Sequence, residues 1–371
     1  NIASGATITN NGTATGFGQP VRPNVTPLIH NGAMQVANYG NKTGITGNQY
    51  VCDRFCTQFG TFGTWSMSQD TNGPAGTGFD KKSLKLDCTT ADTSLGAGDF
   101  GLIRQSFEGR DLQIFKKGTS NAEKLTLKFY VKSNKTGTYT VEFFDADNSR
   151  QISKTYTIDS ANTWEEKIIN VPADTTGSLN DDVNESFVIN WWLGSGSTYN
   201  SGTLNSSSWA SSTSANRVSG SNVNLADSTS NEWFLTGVQL EIGEFTSATM
   251  PPFQFQEFSD VLLTCHRYFI PGTDVEGGLN PTGHIATSTQ IQATPQLRRT
   301  MRVSPTLTAN ATSFIALVGG SGATTTVSFT NLGDNGFRYG LNTDQTGMTT
   351  GQNAAMGGLG ADFFAELLAQ S

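Results

Sequence analysis

Three histidines are the scarcest residues in this chain able to do proton chemistry: His30 ahead of Asn31-Gly32, His266 in Cys265-His266-Arg267, and His284 after Gly283. A catalytic histidine needs a nucleophile or a reacting group within hydrogen-bond reach. None of the three stands in a Gly-x-Ser-x-Gly, a His-Glu-x-x-His or a phosphate-loop pattern. His266 reads instead as a structural or solvent-facing helix residue. Paired carboxylates would permit glycoside hydrolysis, which needs two acids about 5–10 Å apart around the scissile bond. Glu165-Glu166, Asp181-Asp182, Glu241 and Glu244 are the candidates. Adjacent strand residues point to opposite faces, so Glu165 and Glu166 do not share a substrate. The expectation is a protein that is not an enzyme.

Metal chemistry has two weak openings. Asp145-x-Asp147-Asn148 has the first spacing of a calcium loop but lacks its central Gly and its distal bidentate Glu. Lying between two strand-like runs, it reads as a hairpin turn. Asp181-Asp182-Val183-Asn184-Glu185 is an oxygen-rich cluster, either a solvated loop or a structural calcium site. Cys52, Cys56, Cys88 and Cys265 have no disulfide-framework spacing, and Cys52 and Cys56 are too far apart for a zinc knuckle. They read as buried free thiols of a protein made in a reducing cytoplasm. No catalytic residue, metal or cofactor is expected.

Aromatic placement is the more informative signal. Along 186–193 the alternation puts Phe187, Ile189, Trp191 and Leu193 inward and turns Trp192 the other way. By the same alternation Tyr130 and Phe144 leave the core face. The stretch 194–228, rich in Gly, Ser and Asn, adds Tyr199 and Trp209. Two readings stand. The off-core aromatics Tyr130, Phe144 and Trp192, with Tyr199 and Trp209, form a platform for sugar rings, or they pack beneath 194–228.

The elements that must position these residues are short strands. Leu125, Leu127, Phe129 and Val131 alternate to one face, Asn134-Lys135-Thr136-Gly137 is a turn, and 139–144 reads as the second arm of a hairpin. Residues 151–158, 164–171, 186–193 and 232–242 are further strands. Strands separated by Gly, Asn and Asp turns predict a mainly β fold, a jelly-roll β-sandwich over residues 26–252. One helical period interrupts it. Phe258, Val261, Leu262, Cys265 and Phe269 make a single buried stripe over 256–269, and Pro271-Gly272 stops it. This gives a short connecting helix (253–270) and a second, smaller C-terminal β domain (271–371). That domain has strand candidates at 301–303, 313–318, 324–330, 337–341 and 362–368. Residues 1–25 are small and polar with two prolines, an extended N-terminal arm that docks on a neighbouring subunit.

Only 15% of the 371 residues are charged, below the usual share of about 25%, and the net charge is −8. No run of Lys or Arg exceeds two, so no basic face is expected for nucleic acid or for an anionic membrane surface. No apolar run reaches the roughly 18 residues of a membrane span.

The order of several short motifs resembles the tail-fibre and spike proteins of bacteriophages. Leu28-Ile29-His30-Asn31-Gly32-Ala33-Met34-Gln35-Val36-Ala37, followed by Asp53-Arg54-Phe55, is similar to the opening of that module. Leu235-Thr236-Gly237-Val238-Gln239-Leu240-Glu241 is similar to its closing strand. Cys265-His266-Arg267-Tyr268-Phe269 resembles its helix, Met301-Arg302-Val303-Ser304-Pro305-Thr306 a strand of its tip, and 361–367 its end. His266 departs from the usual Gln there. The resemblance implies a carbohydrate-binding-module-like jelly roll, then a β tip, as a rule in a homotrimer. It implies a structural protein of the virion, assembled in the host cytoplasm, that attaches to a host-surface polysaccharide or other receptor. Other virion proteins would be met through the N-terminal arm. A capsid or tail decoration protein without a receptor, and a polysaccharide-depolymerising tailspike, are the alternatives. The resemblance carries over no catalytic or binding residue.

Overall fold

The computed structural model describes residues 26–271 and 299–303, together with the backbone of the strands between 282 and 364. Runs of alternating apolar residues, too short and too β-branched for helices, become strands. In chain order these are β1 (Lys42–Ile45), β2 (Gln49–Tyr50), β3 (Cys56–Gly60), β4 (Thr64–Asp70), β5 (Ser83–Thr90), β6 (Phe100–Glu108) and β7 (Leu125–Ser133). They continue with β8 (Gly137–Asp145), β9 (Arg150–Ile158), β10 (Glu165–Val171), β11 (Glu185–Ser195), β12 (Ala210–Ser211) and β13 (Glu232–Ile242). A first sheet has the order β1-β4-β5-β13-β7-β10 and a second the order β12-β9-β8-β11-β6-β3-β2, every pair antiparallel. The fold is the mainly β sandwich expected of the sequence.

The core lies between the sheets. Leu127, Phe129 and Val131 of β7 and Phe187, Ile189, Trp191 and Leu193 of β11 are fully buried in it. Phe129 meets Trp191 edge to face across the gap, with ring centroids 6.0 Å apart. Burial of each such side chain stabilises by roughly 1.5–3 kcal/mol.

One expectation is corrected here. The runs 125–131 and 139–144 are not two arms of a hairpin. β7 pairs with β10 and β13, whereas β8 pairs with β9 and β11. The turn at 134–136 carries the chain from one sheet to the other, and the Tyr139 hydroxyl closes it by donating to the Lys135 carbonyl at 2.8 Å. The two apolar faces thereby pack face to face, which buries both. The turn at 146–149 does join a hairpin, β8 to β9, with Asp145 opposite Arg150.

The motifs at 28–37 and 53–55 meet in space. Asn31, at φ 57°, donates through its amide to the carbonyls of Val36 (2.8 Å) and Asp53 (3.0 Å) and accepts from the Val36 N–H. Arg54 stacks on Tyr268, its guanidinium carbon 3.4 Å from the ring centroid. Helix α1 is one turn (Ser197–Asn200), and α2 covers only Phe258–Cys265, shorter than the expected 256–269. Glu257 is still extended at its start, and the chain turns at His266 so that Arg267 and Tyr268 reach Glu108. The expected stripe is only partly buried. Val261 and Cys265 are covered, but Phe258 is 56% exposed.

Phe269–Ile270 is a strand rather than the end of the helix, pairing with Ala361–Phe364. Ala361–Phe364 pairs also with Thr306–Ala309, and the other strands from Thr282–Thr287 to Asn353–Gly357 form a seven-stranded antiparallel sheet. Phe314–Val318 and Tyr339–Asn342 fall where strands were expected. The expected strand at 324–330 divides into Ser321–Thr325 and Phe329–Asn331, and 301–303 is not a strand. The arm 1–25 and His284's side chain lie outside the described residues.

Candidate functional site

Strands β8, β11 and β6 are neighbours in the second sheet, and their register sets Asn190 opposite both Arg104 and Glu142. Opposed residues on adjacent strands lie about 5 Å apart at Cβ, so Arg104, Asn190 and Glu142 form a polar row. The row lies on the face turned away from the core, because it shares the parity of Trp192 and Leu102, which pack in a cluster of their own.

Glu142 is the centre of this row. Its side chain is fully buried, and it accepts a bidentate pair from Arg217 (Nε 2.7 Å, Nη2 2.9 Å). Asn190 Nδ2 at 2.9 Å and the Trp192 indole N–H at 3.1 Å complete the set. Such charge-assisted bonds are what make a buried carboxylate tolerable. Arg217 comes from the loop after α1. Its guanidinium carbon is 5.1 Å from the Trp192 ring centroid, 5.5 Å from Phe144 and 6.0 Å from Tyr199.

At the other end of the row, Arg104 donates to Gln58 Oε1 (3.1 Å) and pairs with Glu185 at 2.9 Å, while Glu185 accepts from Ser106. Two atoms remain over. Asn190 Oδ1 and Arg104 Nε are buried, and neither has a hydrogen-bond partner. One is an acceptor and the other a donor, on directly opposed residues.

The sequence-predicted residues divide. Phe144, Trp192 and Tyr199 do gather, around Arg217. Trp192 is only 1% exposed and lies under Tyr199 and Val218, so it packs beneath the 194–228 stretch and presents no stacking surface. Phe144 and Tyr199 are half-buried at the rim. Trp209 is part of the core, 6.0 Å from Phe187, with its indole N–H on the Pro172 carbonyl. Tyr130 is not on this face at all. It sits on the outside of the first sheet, its hydroxyl donating to Glu166 (2.7 Å) and the Lys128 ammonium 5.5 Å from its ring. The same sheet carries Trp164 and Phe234, with the Lys132 ammonium 5.3 and 4.0 Å from their centroids. Aromatic faces capped by the chain's own lysines are already occupied.

Arg104, Glu142, Asn190 and Arg217 were absent from the sequence-level set. Glu142 and Asn190 had a signal, each lying two residues from a selected aromatic and therefore on the same face. Arg217 had none.

The acidic clusters are engaged by the chain. Asp145 holds Lys117 and Asn148. Asp147 accepts from the Asn180 backbone and amide, Asp182 from Asn184, and Glu165 from Lys167 and the N–H groups of Asp159 and Ser160. Among the described residues no three of His, Cys, Asp and Glu are grouped so as to hold a metal ion.

No protein-family model matches the chain, and no curated protein does. Solved structures similar to it include the enzymatically active domain of tailspike protein 4 from bacteriophage CBA120, at 12% identity and TM-score 0.29, over 58% of this chain and 21% of that one. The CBM22-1-GH10 modules of a Clostridium thermocellum endo-1,4-beta-D-xylanase match at 14% identity and TM-score 0.28, over 56% of this chain and 28% of theirs. A tandem CBM22 domain from Paenibacillus barcinonensis matches at 11% identity and TM-score 0.26, over 96% and 93%. This chain thus spans about a fifth of the tailspike domain and just over a quarter of the xylanase. At TM-scores this low, none of the three carries an inference about what this chain does.

Proposed function

We propose that the chain is a non-enzymatic protein of a bacteriophage particle, a tail fibre or spike that holds a host-surface glycan at the Arg104–Asn190–Glu142 row. The observation that carries the glycan half is the buried pair of unmatched atoms, Asn190 Oδ1 and Arg104 Nε. A hydroxyl is the group that accepts and donates at once, and vicinal hydroxyls with an apolar ring face define a sugar. Asn190 and Arg104 are only 3% and 9% exposed, so a hydroxyl reaches the pair as the covering side chains part. It then returns the about 1–3 kcal/mol that each unmatched buried atom costs. Phe144 and Tyr199 offer the apolar edge.

The bacteriophage half is supported by the ordered motifs from Leu28 to Leu367. The non-enzymatic half is supported by the state of the carboxylates. Glu142 spends both oxygens on Arg217, Asn190 and Trp192, and Glu185 spends its own on Arg104 and Ser106. Neither is placed to pass a proton to a leaving group. A homotrimer, docked on other virion proteins through the arm 1–25, would multiply a weak single site by about 10²–10⁴ in avidity.

The test is binding of the full chain to host cells and to their purified surface polysaccharide. Arg104→Met keeps the aliphatic stem and removes the guanidinium, and Phe144→Ala removes the rim. Both variants should stay folded and lose at least tenfold in binding. Unchanged binding by both overturns the site. A folded chain that binds no host surface identifies a decoration or adaptor protein instead, and release of reducing ends from the polysaccharide identifies a depolymerase.

A further inference from the structure

A second concave region lies away from the row, where the segment 26–30, the turn after β6 and the end of α2 converge. It is a cleft of about 510 Å³ with Arg110, Asp111, Gln256, Arg267 and Arg299 among its walls. That volume is within the usual range of small-molecule sites, about 300–1,000 Å³. Two sources build it. The turn at Gly109–Asp111 is fixed by the Arg110 N–H on the Asp182 carbonyl, and Arg267 is fixed by its bidentate pair with Glu108 (2.7 and 2.5 Å).

Charge is distributed unevenly within it. Glu108 neutralises Arg267, which leaves Arg110, Arg299 and Asp111. The cleft therefore carries an excess of one positive charge in a chain whose net charge is −8. Arg110 comes no nearer than 3.9 Å to Glu108, and its side chain is 48% exposed. Among the described residues the guanidinium groups of Arg110 and Arg299 donate no hydrogen bond, and the Asp111 carboxylate accepts none. Burial, then the charges of Arg54, Arg299 and Arg267, hold the neighbouring His30 imidazole down to about 3, so it adds no charge of its own. Burial and the adjacent Glu108 raise the Asp111 carboxyl above its ordinary value.

We propose that this cleft binds a carboxylate-bearing sugar, its carboxylate between Arg110 and Arg299 and its hydroxyls on Asp111 and Gln256. Guanidinium groups present paired N–H donors that fit a carboxylate in two parallel bonds. A bare inorganic anion would satisfy the arginines but would meet repulsion from Asp111. A hydroxylated anion turns Asp111 into an acceptor for O–H donors. This inference does not rest on the row at Asn190.

Titration of the full chain with sodium glucuronate, glucose and inorganic phosphate, followed by NMR of the ligand, tests it. Glucuronate should bind at least tenfold more tightly than glucose and than phosphate. Arg110→Gln and Arg299→Gln should each weaken it about fivefold, and the double variant should abolish it. Lys124→Gln, an exposed change beside Glu244 and outside the walls of the cleft, should leave it unchanged. Equal binding of glucose or of phosphate overturns the assignment, as does undiminished binding by the folded double variant or no binding of glucuronate at all.

Discussion

Gly101 of β6 and Gly194 of β11 stand opposite each other, and the Phe62 ring lies against both. A Cβ added at Gly101 would fall 2.0 Å from a ring carbon of Phe62, and one at Gly194 would fall 2.5 Å away. The two glycines form the slot that admits the ring, which stacks on Trp65 at 5.5 Å between centroids.

Alanine at either position should therefore destabilise the sandwich by overpacking, by about 1–3 kcal/mol. Gly101→Ala should cost more than Gly194→Ala. Urea unfolding of the two variants against the parent measures this, and midpoints equal to the parent would show that Phe62 moves aside freely.

Glu142→Gln removes the charge that holds Arg217, Asn190 and Trp192 together. Breaking a buried pair from one side typically costs about 3–5 kcal/mol. The loop carrying Tyr199 and Arg217 should loosen, with a red shift in tryptophan fluorescence as Trp192 meets water. Replacing both partners, Glu142→Leu with Arg217→Met, should recover part of the loss. Hydrogen exchange across 196–224 reads the effect directly.

Glu108 ties α2 to the sandwich through Arg267 and Tyr268. Burial alone would raise its carboxyl, but the bonds from Arg267 and Tyr268 outweigh it and hold the group below the usual glutamate value. With a folded value below the unfolded one, about 4.3, the unfolded chain binds more protons on acidification. The stabilisation is complete above about pH 4.3 and is lost as pH falls through the lower folded value. Glu165, Glu166 and Asp174 shift in the same direction. Unfolding midpoints should fall steeply below about pH 4, and Glu108→Gln should flatten that slope.

The four cysteines are buried and unpaired with one another. Burial, aided by Asp53, raises the Cys52 thiol, and burial with Asp87 pushes Cys88 up to about 11. Thiolates are the reactive form, so the native protein at pH 8 should resist a thiol reagent such as dithionitrobenzoate. All four should react in denaturant. Rapid labelling of the native chain would contradict the burial.

Strand alternation made one kind of structure legible and hid another. It assigned inward and outward residues correctly along 125–131 and 186–193, because side-chain direction is a local property of the backbone. It carried no information on which sheet a strand joins. Reading 125–131 and 139–144 as one hairpin placed Tyr130 beside Phe144, although the two lie on opposite outer faces. The polar row was hidden for the same reason, since Arg104, Asn190 and Glu142 meet only through the pairing β8-β11-β6. Helix α2 ended early because Tyr268 is claimed by Glu108, a contact between residues far apart in the chain. The 3.6-residue period does not encode it.

The position of β13 sets an order of events during synthesis. This last strand of the sandwich lies between β5 and β7, near the middle of the first sheet. Until residue 242 has left the ribosome, β5 and β7 each keep an open edge, and the first sheet exists as two unjoined halves. Open edges are templates for pairing with other chains, and long-range pairing of this kind is slow. A chain truncated anywhere before β13 is therefore not a smaller sandwich but an aggregation-prone intermediate.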